Sequence, residues 1–137
     1  AEYVEEHLFG PLGINDYTWE ADSQGRNWGY TRIYFNPHDM AKIGFLFLNY
    51  GEWDGEQVFS EEWVREATTH RIDANILDGY GYQWWVGDGY YLALGYQGQF
   101  IFVYPEHDLI IVFTSSSPET FDYAINLPNK YVLPALD

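Results

Sequence analysis

The sequence predicts an α+β fold, helices packed on an antiparallel sheet, and three observations carry that reading. Helical patterns with recognisable caps come first, four strand-like runs follow one another between Tyr80 and Ser115, and the chain closes on a further helical pattern. The turns joining the strand-like runs, Gly87 to Gly89 and Glu106 to Asp108, are short enough to force antiparallel neighbours. A chain of 137 residues that is 47% hydrophobic can bury one core, so residues 1–137 read as a single, partial domain.

The opening "AEYVEEHLFG" has the spacing of the end of an amphipathic helix, with Tyr3, Val4, His7 and Leu8 along one face. Gly10, Pro11 and Gly13 in "FGPLGIND" end it. "YTWEADSQGRNWGYTRIYF", residues 17–35, mixes polar, glycine and aromatic residues without lasting period and reads as a long ordered loop. Asn36 then has the character of an N-cap, with Pro37 at the first helical position and Asp39 in the positive first turn. The helix that follows ends at Gly51. Its apolar residues occupy nearly all of its surface, which predicts a central, buried helix.

"GEWDGEQVF" reads as a hairpin turning at Asp54 and Gly55, and Ser60 caps a second helix through "EEWVREATT". Strands are expected over Tyr80 to Val86, Tyr90 to Leu94, Gln99 to Tyr104 and Leu109 to Ser115. Trp84 and Trp85, adjacent on the first of these, should face opposite sides of the sheet, both as core residues. Pro118 should break the last strand, and a final helix interrupted by Pro128 should close the chain.

Charge excludes whole classes of partner. Six basic against 21 acidic residues give a net charge of -15, which repels phosphate backbones, so nucleic acid is not an expected partner. No run reaches the roughly eighteen apolar residues of a membrane span. The four histidines, His7, His38, His70 and His107, lie in separate segments without metal-ligand spacing, and neither a metal nor a cofactor is expected. With no cysteine, a thiolate nucleophile is impossible, while the compartment is left open. Neither a G-x-S-x-G elbow nor a Ser-x-x-Lys occurs.

Three stretches, "FGPLGINDYTW", "PHDMAKIGFLFLNYGEWDGEQVFSEEWVREAT" and "GYQGQFIFVYPEHDLIIVFTSSSP", nevertheless stand in an order and at spacings that resemble a known family. The chain is similar to the C-terminal part of serine hydrolases of the β-lactamase and penicillin-binding-protein-like superfamily, in the branch of esterases and 6-aminohexanoate-dimer hydrolases. The resemblance implies the C-terminal portion of the β-lactamase/transpeptidase-like fold and acyl transfer on a small ester or amide substrate. It also implies that the nucleophilic Ser, its Lys and a Tyr from a Tyr-x-Asn-like loop belong to an N-terminal part not contained in this segment. That part would be the segment's partner, and the segment alone would be inactive.

In such enzymes a third motif, often Lys-Thr-Gly or His-x-Gly, ends in a glycine followed by a backbone N–H that helps bind the oxyanion. Counting back from "VYPEHD" places the motif on Ala93, Leu94 and Gly95, with the N–H of Tyr96 as donor. A shifted register would use Tyr96, Gln97 and Gly98, with Gln99 as donor. Neither register has Lys or His at the first position, which counts against recognition of a β-lactam carboxylate. On residues alone, Gly95 and Gly98 also suit a bulge that curves the strand. Trp19, Trp28 and Tyr30 are candidates to line a substrate cleft. The competing reading is a non-catalytic carbohydrate-binding or interaction domain, whose Trp and Tyr rings would stack on sugars or simply build the core.

Overall fold

A computed structural model describes residues 1–117, 119 and 121–136. Among the described residues, ten strands form three sheets. β1 (Tyr17–Trp19) pairs β2 (Ile33–Phe35), and β3 (Glu52–Trp53) pairs β4 (Glu56–Gln57). The main sheet has the order β10-β9-β8-β7-β6-β5, from β5 (Ile72–Asp73), β6 (Gly79–Tyr80), β7 (Trp85–Gly87), β8 (Tyr90–Gly95), β9 (Gln99–Tyr104) and β10 (Leu109–Phe113). Every neighbouring pair in it is antiparallel. The architecture is the α+β one that the sequence predicts.

The sheet holds because its strands are apolar on both faces. Tyr91, Ala93, Ile101, Val103, Ile110 and Val112 point to one side; Leu92, Leu94, Phe100, Phe102, Ile111 and Phe113 point to the other. Trp84 joins the first cluster and Trp85 the second, as adjacency requires. Burying each large side chain removes enough apolar surface to contribute about 1.5–3 kcal/mol.

α2 (Pro37–Leu48) covers the first face. Its start is fixed by Asn36, whose Oδ1 accepts from the Asp39 N–H at 2.9 Å. Buried Asp39 is in turn held by Lys42 Nζ at 2.7 Å. Gly44 lets the helix lie close to the strands, since a Cβ there would stand 2.8 Å and 2.9 Å from Cγ2 of Ile101 and Ile110. The helix is not buried all round, because Phe45 is 44% exposed and meets Trp53 edge-on. α3 (Glu61–Ala67), capped by Ser60 Oγ on the Trp63 N–H, adds Ala67 to the same cluster.

The second face is covered from the C-terminal end by α4 (Phe121–Ala124), a π-helical turn at Pro128–Val132 and a 3-10 turn at Leu133–Ala135. These three short pieces stand where a helix interrupted only at Pro128 is expected. Proline at 128 and 134 denies the backbone the donors a continuous α-helix needs. The strand break expected at Pro118 lies outside the described residues. At the other end, α1 (Glu2–Val4) passes into a π-helical turn over Glu5–Phe9, and its inward residues are Val4, Leu8 and Phe9. Tyr3 and His7 instead meet each other, with ring centroids 4.3 Å apart on the outside.

Two further expectations need correction. The run Tyr80 to Val86 is not one strand: the chain reverses inside it, so that β6 and β7 are antiparallel neighbours, with Gly81 N–H donating to Trp84 O at 2.8 Å across the turn and Gln83 at a left-handed φ of 67°. The Tyr82 N–H of that turn donates to the Ala67 carbonyl at the end of α3, at 2.9 Å. The loop over residues 17–35 is ordered as expected, but it contains the β1–β2 ribbon and an isolated bridge between Ala21 and Asn27. Asp54 and Gly55, with φ of 50° and 82°, make the left-handed pair that a two-residue hairpin requires.

Candidate functional site

The candidate residues Ala93 to Gln99 occupy the β8–β9 hairpin and the turn at its tip. Ala93, Leu94 and Gly95 finish β8, paired with Ile101, Phe100 and Gln99 of β9. Their side chains are structural: Ala93 lies under α2, and Leu94 joins the aromatic cluster on the opposite face. What distinguishes this end of the strand is its other edge. β7 pairs only with Tyr90, Tyr91 and Leu92, so the ladder on that side stops before Ala93.

Tyr96, Gln97 and Gly98 form the turn. Gln97 and Gly98 have φ of 63° and 85°, the left-handed conformations that reverse a chain tightly and that glycine adopts without cost. Tyr96 is outside both strands and 82% exposed. Gln99 differs, because its backbone belongs to β9 and sits opposite Gly95. Its side-chain Nε2 donates to the carbonyl of Ser115, just past β10. At Gly95, an added Cβ would stand 2.9 Å from Gln99 Cβ and 3.3 Å from its Cγ, so the glutamine side chain lies flat over the glycine.

The aromatic candidates sit elsewhere, on the ribbon of residues 17–35. Trp19 belongs to the third core cluster with Phe9, Leu12, Ile14 and Leu46, and its Nε1 donates to Trp28 O at 2.8 Å. That is a packing role. Trp28 and Tyr30 meet edge to face at 6.1 Å, 37% and 75% exposed, with the Arg32 guanidinium 5.8 Å from the Trp28 ring centroid. The structure thus links Trp28 and Tyr30 to each other, while Trp19, Ala93 and Leu94 fall in three different clusters.

Sequence reasoning missed what holds this ribbon. Glu20 accepts from Arg32 Nη1 at 2.6 Å and from Tyr34 Oη at 2.9 Å. Those donors, Arg32 first, hold its carboxyl below the usual range, and the carboxylate pushes the Tyr34 phenol up. Asp22 is held down likewise by the backbone and side chain of Arg26 and the backbone of Gln24. A spacing of twelve or fourteen residues gives such a clip no local signature.

A depression of about 700 Å³ lies among Asn75, Leu77, Asp78, Asp88, Tyr90 and Asn129. It adjoins the first residue of β8, whereas Gly95 is the last, so it lies at the opposite end of that strand from the turn. Tyr104, which donates to Asn129 Oδ1 at 3.0 Å beside it, has its phenol pushed up by burial and is no ready base.

Comparison with known proteins agrees with this architecture. The chain is 28% identical over 89% of its length to an uncharacterized protein of Alkalihalophilus pseudofirmus and 29% identical over 86% to 6-aminohexanoate-dimer hydrolase of Paenarthrobacter ureafaciens. It spans 41% and 34% of those two proteins' lengths. A solved structure, a putative 6-aminohexanoate-dimer hydrolase from Bacillus anthracis, superposes on 97% of the chain with a TM-score of 0.74 at 21% identity, covering 38% of that protein and showing a shared fold. The family model described as Beta-lactamase matches residues 1–131, and the chain belongs to that family.

Proposed function

We propose that this chain is the C-terminal segment of a serine acyl hydrolase acting on small ester or amide substrates, and that its β8–β9 hairpin supplies backbone donors to the oxyanion. One observation carries the reading: the β7–β8 ladder ends at Leu92, leaving the edge of Ala93–Gly95 open on the approach to Tyr96, in a chain of the Beta-lactamase family. Backbone N–H groups at an open strand end are fixed in place before any substrate arrives. Donors fixed in that way stabilise the negative charge that develops on a carbonyl oxygen under attack, without reorganising during the step.

The register with Tyr96 as donor is favoured, because Tyr96 lies beyond the ladder whereas Gln99 is paired opposite Gly95. The nucleophilic Ser, its Lys and the Tyr that assists them are assigned to a preceding part of the protein, which would be this segment's partner. Ala93 or Tyr96 stands where a Lys or His would begin the third motif, which favours esterase or linear-amide chemistry over β-lactam carboxylate binding. Trp28 and Tyr30 are proposed, more distantly, as cleft-lining residues.

The test uses the longer protein that the reading supposes, with the acylation burst from p-nitrophenyl acetate as signal. Tyr96→Phe keeps the N–H and should spare most activity. Tyr96→Pro removes it and should slow acylation roughly a hundredfold, the size of one lost oxyanion donor. Near-UV circular dichroism must show the proline variant folded. Normal acylation by folded Tyr96→Pro, with loss in Gln99→Pro, would shift the register; full activity in both would end the assignment.

A further inference from the structure

We propose that the side chain of Gln99 is a positioning residue that fixes the β8–β9 turn, an inference that rests on the reading of this turn as the oxyanion-facing one. The turn is covered on one side only: Tyr96 is 82% exposed, while Gln97 is half-buried and Gly98 is buried. Its two ends are Gly95 and Gln99, paired across the hairpin. The Gln99 side chain acts on both sides at once. Its Cβ and Cγ lie across Gly95, where no Cβ would fit, and its amide reaches over to Ser115 O just past β10.

The register explains why a side chain is needed. β9 and β10 pair from Leu109↔Tyr104 to Phe113↔Phe100, and continuing the same register would place Ser115 opposite Gly98. Gly98, at φ 85°, has already turned into the hairpin, and β10 has ended. The Gln99 amide donates in place of the next backbone rung. Ser115 is itself braced, because its Oγ accepts from the Ser117 N–H at 3.1 Å. One half-buried side chain thus meets the end of β8 through its Cβ and Cγ and the segment just past β10 through its amide.

This predicts a chemical requirement at position 99 that volume alone does not meet. Methionine fills the space without a donor. Glutamate is isosteric, but it sets a carboxylate against a carbonyl oxygen until it is protonated, when it can donate again. All these variants keep the backbone N–H, so the test does not depend on which register is right.

In the longer protein, hydrogen exchange is to be followed by mass spectrometry across residues 94–99, alongside kcat and KM for an activated ester. Gln99→Met and Gln99→Glu should speed exchange at the turn while leaving the rest of the sheet as in wild type. They should lower kcat about tenfold, a fraction of one oxyanion donor, with KM little changed, because a displaced donor is felt mainly in the transition state. In Gln99→Glu the exchange difference from wild type at matched pH should shrink as the carboxyl is protonated.

Folded variants with wild-type exchange and kcat would overturn the proposal. So would exchange that rises throughout the sheet, since that marks a packing role, or a loosened turn that leaves kcat untouched. If the wild-type protein hydrolyses no ester while Gln99→Met still loosens the turn, the clamp stands and the acyl-hydrolase function falls.

Discussion

The β8–β9–β10 meander and the ribbon of residues 17–35 are both β structure rich in aromatic residues, and they differ in how much of each is held by burial. In the meander, Phe100, Phe102 and Tyr104 stack along one face of β9 at 5.3 Å and 6.2 Å, closed off from solvent. In the ribbon, Tyr17, Trp19, Ile33 and Phe35 pack inward on the third core cluster, but Trp28, Tyr30 and Tyr34 reach outward, where the charged clip on Glu20 joins the two sides. Non-directional burial sums over many neighbours. An exposed ion pair contributes little to global stability, and salt screens it. The meander should therefore melt with the whole molecule, and the outer stretch of the ribbon, between β1 and β2, should open by itself.

Truncation at the centre of the meander is the strongest way to break that contrast. Phe102 is 0% exposed and touches Phe100, Tyr104 and Phe113 by ring contacts, so Phe102→Ala leaves a cavity that its neighbours cannot close. We expect a loss of about 4 kcal/mol, seen as a single cooperative melt displaced downward, by roughly 10 °C or more. A local opening of β9 with an unchanged Tm would place the core elsewhere.

A smaller effect of the same kind is expected from Gly44→Val on α2. Helix propensity alone favours valine over glycine, so a surface glycine would gain from the change. Here the new Cβ would already meet Cγ2 of Ile101 and Ile110 inside 3 Å, and the two further methyls have no room. Overpacking should win by about 2 kcal/mol of destabilisation, measured by urea unfolding. A stabilised variant would show that α2 can lift from the sheet at no cost.

The same contrast governs how much could be read from residues alone. The apolar runs "QFIFVY" and "LIIVF", the Asn36-Pro37 helix start and the Asp54-Gly55 turn are local signals with local causes, and each element stands where its signal lies, although the last strand ends at Phe113 rather than Ser115. The run Tyr80 to Val86 misled because its pattern is strand-like throughout, while the chain turns back inside it at Gln83, whose left-handed φ of 67° a glutamine does not announce. The end of the β7 ladder at Leu92 and the reach of Gln99 to Ser115 likewise depend on where three strands stop relative to one another. Glycines at 95 and 98 mark the turn in the sequence; what braces it does not appear there.

The weakest perturbation should separate the two regions most cleanly. Donors on Glu20, Arg32 foremost and then Tyr34, lower its folded pKa, so the clip's contribution is complete above the ordinary glutamate value of about 4.3 and is lost as pH falls through the folded one. On the alkaline side the sign reverses. The Tyr34 phenol is raised by the same carboxylate, so its share is present below the ordinary tyrosine value of about 10 and is lost as pH rises through the folded one. Between those limits the outer stretch of the ribbon should stay closed, and Glu20→Ala should open it at any pH in the window. Because Glu20, Arg32 and Tyr34 all meet solvent, the expected readout is local: faster amide exchange over residues 20–34, with no measurable change in the cooperative melt. Added salt should reproduce part of the opening in the wild type and none in Glu20→Ala. If Glu20→Ala instead lowered the global Tm as Phe102→Ala is expected to do, the ribbon would be part of the cooperative core, and the division between the two regions would fail.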